Sequence, residues 1–213
     1  MKFARTTLLG LSIILLMGAA APPVLGQAVK VRWDIVSLTF GPPPNFLPLT
    51  FYAGGHASAS ADDGSHITLT GEGTFVAPAG GDRTSSAATG GGTWQTFDST
   101  GTPTGSGTYK VTGLVRWEVA PGFFDTTVLI DNISNAAEAS PGLAVLRIEY
   151  SDGSHGVLTA SCNLVNTPPS VFEGITVSKG FVDYWNRALG VSPAANPDVT
   201  LFHVKRRGEA GDE

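Results

Sequence analysis

Thiol and imidazole chemistry is nearly missing from this chain: 213 residues carry one cysteine, Cys162, and four histidines. A single cysteine excludes an internal disulfide. His56, His66, His155 and His203 form no His-x-His or His-x-x-x-His pair, and there is no Cys-x-x-Cys. The spacings that metal centres need are therefore absent, and neither metal nor cofactor is expected. Charge is scarce too. Only 15% of residues are charged, 13 basic against 18 acidic, for a formal net charge of −5. Neutralising phosphates takes clustered Lys and Arg, so a nucleic-acid partner is not expected. The sole basic cluster, Lys205-Arg206-Arg207, runs into "GEAGDE", and residues 205–213 read as a disordered charged tail. No Gly-x-Ser-x-Gly elbow or Gly-Lys-Ser/Thr phosphate loop occurs.

Long apolar runs are also lacking, with one exception. Leu8–Ala21 follows Lys2 and Arg5 and precedes a small-residue stretch ending at Ala28. The run is shorter than the roughly twenty residues of a membrane span. This is the three-part pattern of a secretory signal peptide. Residues 1–28 are expected to be removed, leaving residues 29–204 as one domain. The mature protein is then secreted, periplasmic or extracellular, with no stable membrane span.

What the chain does have is glycine, 27 residues, and two-residue alternation. In "VKVRWDI" Val29, Val31, Trp33 and Ile35 share one face, and Lys30, Arg32 and Asp34 the other. "ASASAD", "HITLTGEGTFVA", "TYKVTGLVRWEV", "LAVLRIEY", "GVLTASCNL" and "VTLFHV" repeat the pattern. The expectation is an all-β protein, an antiparallel hairpin-built β-barrel of about eight strands, with a two-sheet β-sandwich as the alternative. Near the end Phe181, Trp185 and Leu189 recur at helical spacing behind Ser178, which predicts one short C-terminal helix packing its aromatic face on the sheet.

One phrase occurs three times: "GEGTF" at 71–75, "GGGTW" at 90–94 and "GSGTY" at 105–109. In a strand both glycines and the ring point to one face. Pairing the segments as hairpins predicts a checkerboard, with rows Gly73–Trp94–Gly107 and Phe75–Gly92–Tyr109, each ring covering neighbouring glycines. "DGSH" occurs at 63–66 and 152–155. Read as a three-residue Asp-Gly-Ser loop, it sets Asp62 opposite His66, and Ile148 opposite Leu158.

Glycine strands inside a small barrel leave room for a ligand. The candidate ligand-binding residues are Phe75, Trp94 and Tyr109 at the glycines, His56 among small residues, and the adjacent pair Phe123 and Phe124 in a loop. Cys162 follows Leu158 and Ala160 on an apolar face and reads as a buried inert thiol. His66 and His155 read as turn residues, and His203 as outward-facing. The favoured function is an exported protein that binds a small apolar or aromatic molecule in its interior. In fold style it is similar to lipocalin-type or dirigent-type barrels, whose diagnostic motifs it lacks. Two alternatives stand beside this. One is a cyclase- or isomerase-type enzyme that needs an inward ionisable residue, with His56 and Glu72 as candidates. The other is a structural or adhesion module of the cell envelope, working through its outer face.

Overall fold

Val31, Trp33 and Ile35 are buried while Lys30 is exposed, and Gly142, Ala144, Leu146, Ile148 and Tyr150 are buried at every second position. Burying one face of each segment drives the strands into a sheet. The computed structural model describes residues 29–77, 87–187 and 198–205. The expected signal peptide, most of the 78–91 loop and residues 206–213 lie outside them. The described strands are β1 (Val29–Phe40), β2 (Leu49–Ala53), β3 (Ala57–Ser60), β4 (His66–Leu69), β5 (Glu72–Ala77), β6 (Thr89–Phe97), β7 (Pro103–Val119), β8 (Leu129–Asp131), β9 (Ala139–Ser140), β10 (Gly142–Tyr150), β11 (His155–Cys162), β12 (Gly174–Lys179), β13 (Val182–Tyr184), β14 (Asn186–Arg187) and β15 (Val199–Lys205). A 3-10 turn at Ala136–Glu138 is the only helical element among the described residues, none of which forms a helix able to cross a bilayer.

All fifteen strands belong to one sheet. Its main path runs β13-β12-β11-β10-β7-β6-β5-β1-β15-β9. β4 and β3 branch from β6, while β2 pairs with β1 and, in parallel, β8 pairs with β2. The sheet curls until β11 and β12 pack on β15 and β3, enclosing a core that includes Trp33, Phe75, Tyr109, Tyr150, Leu158, Ile175 and Phe202.

The all-β expectation is met, but a closed barrel with a C-terminal helix is not what forms. No continuous ladder joins β3, β11 or β12 to β15. Side chains bridge that seam instead. Thr200 Oγ1 donates to Ser161 O at 2.8 Å, Glu173 Oε1 accepts from Thr200 N at 2.7 Å, and Asp198 Oδ1 accepts from Ser58 N at 2.8 Å. The predicted helix is a hairpin. Gly180 adopts φ +59° and turns β12 into β13, with Lys179 opposite Val182. The chain then shifts partners, and Asn186 and Arg187 pair with β3. Helical spacing misled because Phe181 and Trp185 stay outside the core: Phe181 is fully exposed and Trp185 is 69% exposed. Leu189 lies outside the described residues.

The repeated phrase behaves as a covering device, in a partly different register. Trp94 lies opposite Gly107, and Tyr109 opposite Gly92, as predicted. Near the turn a bulge puts Phe97, rather than Asp98, opposite Pro103. The β5–β6 pairing departs by four residues: Gly73 faces Gly90, neither Gly73–Trp94 nor Phe75–Gly92 forms, and Trp94 faces Leu69. β4 and β5 together run along β6 in one register, so the apolar match of Ile67 and Leu69 sets it as well as the glycines. The ring over Gly73 is Trp33, its partner on β1. A side-chain carbon at Gly73 would sit 2.7 Å from Trp33 Nε1, and one at Gly107 would sit 2.9 Å from Trp94 Nε1.

Both "DGSH" hairpins are shifted by two residues, with Ser60 opposite His66 and Leu146 opposite Leu158. Asp62 and Ala61 therefore do not face His66 and Ile67. The loop closes one residue earlier than predicted because Gly64 and Gly153, at φ +83° and +85°, take the left-handed position that ends it. Asp63 Oδ1 and Asp152 Oδ1 each accept from the backbone N and the hydroxyl of the serine two residues on. A shift of two keeps every side chain on its predicted face.

Candidate functional site

The six candidate residues do not converge. Phe75, Trp94 and Tyr109 are buried and belong to the ring packing of the core. Phe75 contacts Trp117 at 5.4 Å between centroids, Trp117 contacts Phe202 at 4.7 Å, and Trp94 meets Tyr150 edge-on at 5.8 Å. Trp94 Nε1 donates to Thr108 O, and the Tyr109 hydroxyl donates to Thr70 O at 2.8 Å. Rings thus occupy the space that the glycines leave. Lys179 caps the Trp94 end, its Nζ 4.3 Å from that ring and ion-paired to Asp152. His56 lines a hydroxyl-rich groove on the outer face with Ser58, Thr68, Thr70 and Thr93, where the Trp94 edge is also reached. Phe123 is 47% exposed at a separate cleft with Val29, Val119 and Val204.

Phe124 leads to an apolar cleft. It is buried and meets Phe51 edge-on at 5.3 Å. Phe51, with Leu38, Leu49 and Leu129, forms one wall of a concave space of ≈ 380 Å³. These residues come from β1, β2 and β8, where β8 lies parallel beside β2 with Leu49 opposite Leu129. The opposite wall is Asn163 and Leu164, just beyond β11, with Val199 at the start of β15. Asn163 Nδ2 donates to Val171 O at 2.7 Å, and Leu164 N donates to Thr167 Oγ1 at 2.9 Å, which hold that wall in place.

Glu173 is the ionisable residue of this cleft. Its Oε2 accepts from Asn163 N at 2.6 Å and its Oε1 from Thr200 N at 2.7 Å. Burial pushes the carboxyl up to about 8, against the lowering effect of the donors Thr200, Asn163 and Gly174. The buried Cys162 thiol lies next to it and is raised well above its ordinary value by burial and by the Glu173 charge. Asp198, on the same seam, is also raised by burial. Apolar walls around a few convergent polar groups, one of them with a displaced pKa, form the usual anatomy of a small-molecule site.

Sequence reasoning passed over Phe51, Leu129 and Glu173. Glu173 precedes β12, which begins only at Gly174, so strand alternation gives no signal for it. Glu72, a candidate for the enzyme alternative, is outside: it pairs with Arg32 at 2.7 Å and its side chain is 62% exposed. His203 is on the face away from Phe202 as predicted, yet it is buried beneath the 120–141 segment, Nε2 2.7 Å from Asp131 Oδ2. His66 stacks on Phe97 at 4.5 Å. No cluster of three or more His, Cys, Asp or Glu suited to a metal occurs among the described residues. Comparison of the chain with known protein families, curated proteins and solved structures finds no match.

Proposed function

We propose that this is an exported protein that binds a small apolar or aromatic molecule, and that the ligand sits in the Phe51–Leu129–Glu173 cleft instead of the interior. The carrying observation is the contrast between the two places. Inside, Phe75, Trp94 and Tyr109 fill the glycine positions by ring packing. At the cleft, leucine, valine and phenylalanine side chains from four strands line an open space of ≈ 380 Å³. Filling it removes apolar surface from water on both partners, at roughly 25 cal/mol per Å². Export is supported by the Lys2/Arg5 and Leu8–Ala21 pattern.

The test is a titration with N-phenyl-1-naphthylamine, a neutral probe that fluoresces in apolar sites. The wild type should enhance its emission saturably. Leu129→Trp, which fills the cleft, should weaken binding at least tenfold, and Trp94→Phe should leave it unchanged. Loss with Trp94→Phe and retention with Leu129→Trp would place the ligand in the interior, and an absence of saturable binding would remove the reading. Native mass spectrometry of protein purified from its own host then identifies any retained molecule.

A proton-transferring enzyme is the second reading, and Glu173 is the observation that favours it. A carboxyl titrating near 8 beside an apolar cleft is matched to acid–base work near neutral pH. Both its oxygens already accept backbone N–H groups, which ranks binding first.

A further inference from the structure

Large apolar rings are rarely left in water, and the β12–β13 hairpin leaves two there, Phe181 and Trp185. Trp185 is not alone on its face. It lines a concave space of ≈ 480 Å³ with Thr159, Thr176, Ser178 and Asp183. The register orders these residues. Thr159 lies opposite Thr176, and Ser178 opposite Asp183. Continuing the β12–β13 register by one residue brings Trp185 beside Thr176. Two neighbouring rows result: Thr159, Thr176 and Trp185 in one, Ser178 and Asp183 in the other. Strands lie about 4.8 Å apart, so the first row is roughly 10 Å long.

One polar group of this face is engaged and three are not. Ser178 Oγ accepts from Val157 N at 3.0 Å. The hydroxyls of Thr159 and Thr176 and the carboxylate of Asp183 have no hydrogen-bond or ion-pair partner among the described residues. An exposed ring beside free hydroxyls and one carboxylate matches one ligand chemistry in particular. A sugar ring presents an apolar C–H face that stacks on an indole, and a rim of hydroxyls that donate to a carboxylate. Charge narrows the class. Asp183 is the one acidic side chain lining the cleft, in a protein of net charge −5, which disfavours sulfated or uronic sugars and anionic lipid surfaces.

We propose that the outer face of β11, β12 and β13 is a binding site for a neutral glycan, with Trp185 as the stacking platform and Asp183, Thr159 and Thr176 as hydrogen-bonding partners for its hydroxyls. The site is distinct from the Glu173 cleft and does not depend on it.

Affinity electrophoresis tests this. The full chain is run in native gels containing soluble β-glucan, xylan or mannan, with alginate as the uronate comparison. At least one neutral polysaccharide should retard the wild type. Trp185→Ala should raise its apparent dissociation constant at least tenfold, Trp185→Phe should restore much of the binding, and Asp183→Asn should weaken it severalfold. Because Trp185 is exposed, the melting temperature of Trp185→Ala should match the wild type. Leu129→Trp should bind glycan normally, which separates this result from the apolar-ligand test. The proposal is overturned if no neutral polysaccharide retards the protein, if alginate retards it most, or if Trp185→Ala is retarded like the wild type. It is equally overturned if sedimentation shows a wild-type dimer that Trp185→Ala abolishes, since the ring then serves a second copy of the chain. Binding to phosphatidylcholine vesicles that is lost with Phe181→Ala and Trp185→Ala, without glycan binding, overturns it as well.

Discussion

Glycine does opposite work at two positions of β6 and β7. At Gly92 an added side-chain carbon would collide with the Thr70 carbonyl and lie 2.8 Å from Gly71 Cα, both backbone atoms that cannot swing aside. At Gly113 it would meet nothing within 4 Å. Gly92→Ala is therefore expected to destabilise the protein by about 2 kcal/mol or more, through forced separation of β6 from the Thr70–Gly71 backbone. Gly113→Ala should stay within roughly 0.5 kcal/mol of the wild type. Urea denaturation of both variants measures the difference, and equal losses would contradict the close-packing account. The ring-over-glycine idea was legible at this scale. Tyr109 opposite Gly92 and Trp94 opposite Gly107 follow from local spacing, since one short loop separates their strands. Trp33 over Gly73 was not legible, because it joins residues forty positions apart.

At the scale of elements, hairpin loops decide register and the sheet decides which shifts are tolerated. Each "DGSH" loop places glycine where positive φ is required, and this moves the register by two residues from the simplest reading. The change is even, so the faces survive: Leu146, Ile148 and Leu158 stay buried. Gly153 has open space around it, and its constraint is conformational alone. Gly153→Ala should cost about 1–2 kcal/mol through left-handed backbone strain, and Gly153→Asn clearly less. Thermal melts of the two variants check this, and identical values would exclude strain as the cause. The mistaken helix has its physical reason at the same scale. Three apolar residues at helical spacing suit an amphipathic helix only if they are buried, and Gly180 at φ +59° offers the chain a hairpin that leaves Phe181 and Trp185 outside.

For the whole molecule, the seam between the curled ends of the sheet relies on side chains where a barrel uses backbone ladders. Glu173 sits at its centre, between Asn163 N and Thr200 N. Its carboxyl titrates at about 8 in the folded state, against an ordinary value of 4.5. Between these values the folded protein holds a proton that the unfolded chain has released. The associated stability is fully present below about 4.5 and is lost as pH rises through about 8, on the order of a few kcal/mol. Melting temperature should fall over that window in the wild type and fall less in Glu173→Gln, whose side chain keeps an acceptor and cannot ionise. A wild-type stability that instead rises from pH 5 to 8, with no change in slope for Glu173→Gln, would show that Glu173 is ionised throughout.

The amino-acid sequence by itself determined the strand class, which side chains share a face of each strand, and two of the three ring–glycine pairs. These depend on a two-residue period and on neighbours joined by one short turn, so local stereochemistry suffices. Only the tertiary structure decided the β5–β6 register, the side-chain seam, the raised Glu173 carboxyl and the exposure of Trp185. Each of these rests on contacts, or on the lack of them, between segments far apart in the chain, where burial and competing pairings outweigh any local preference.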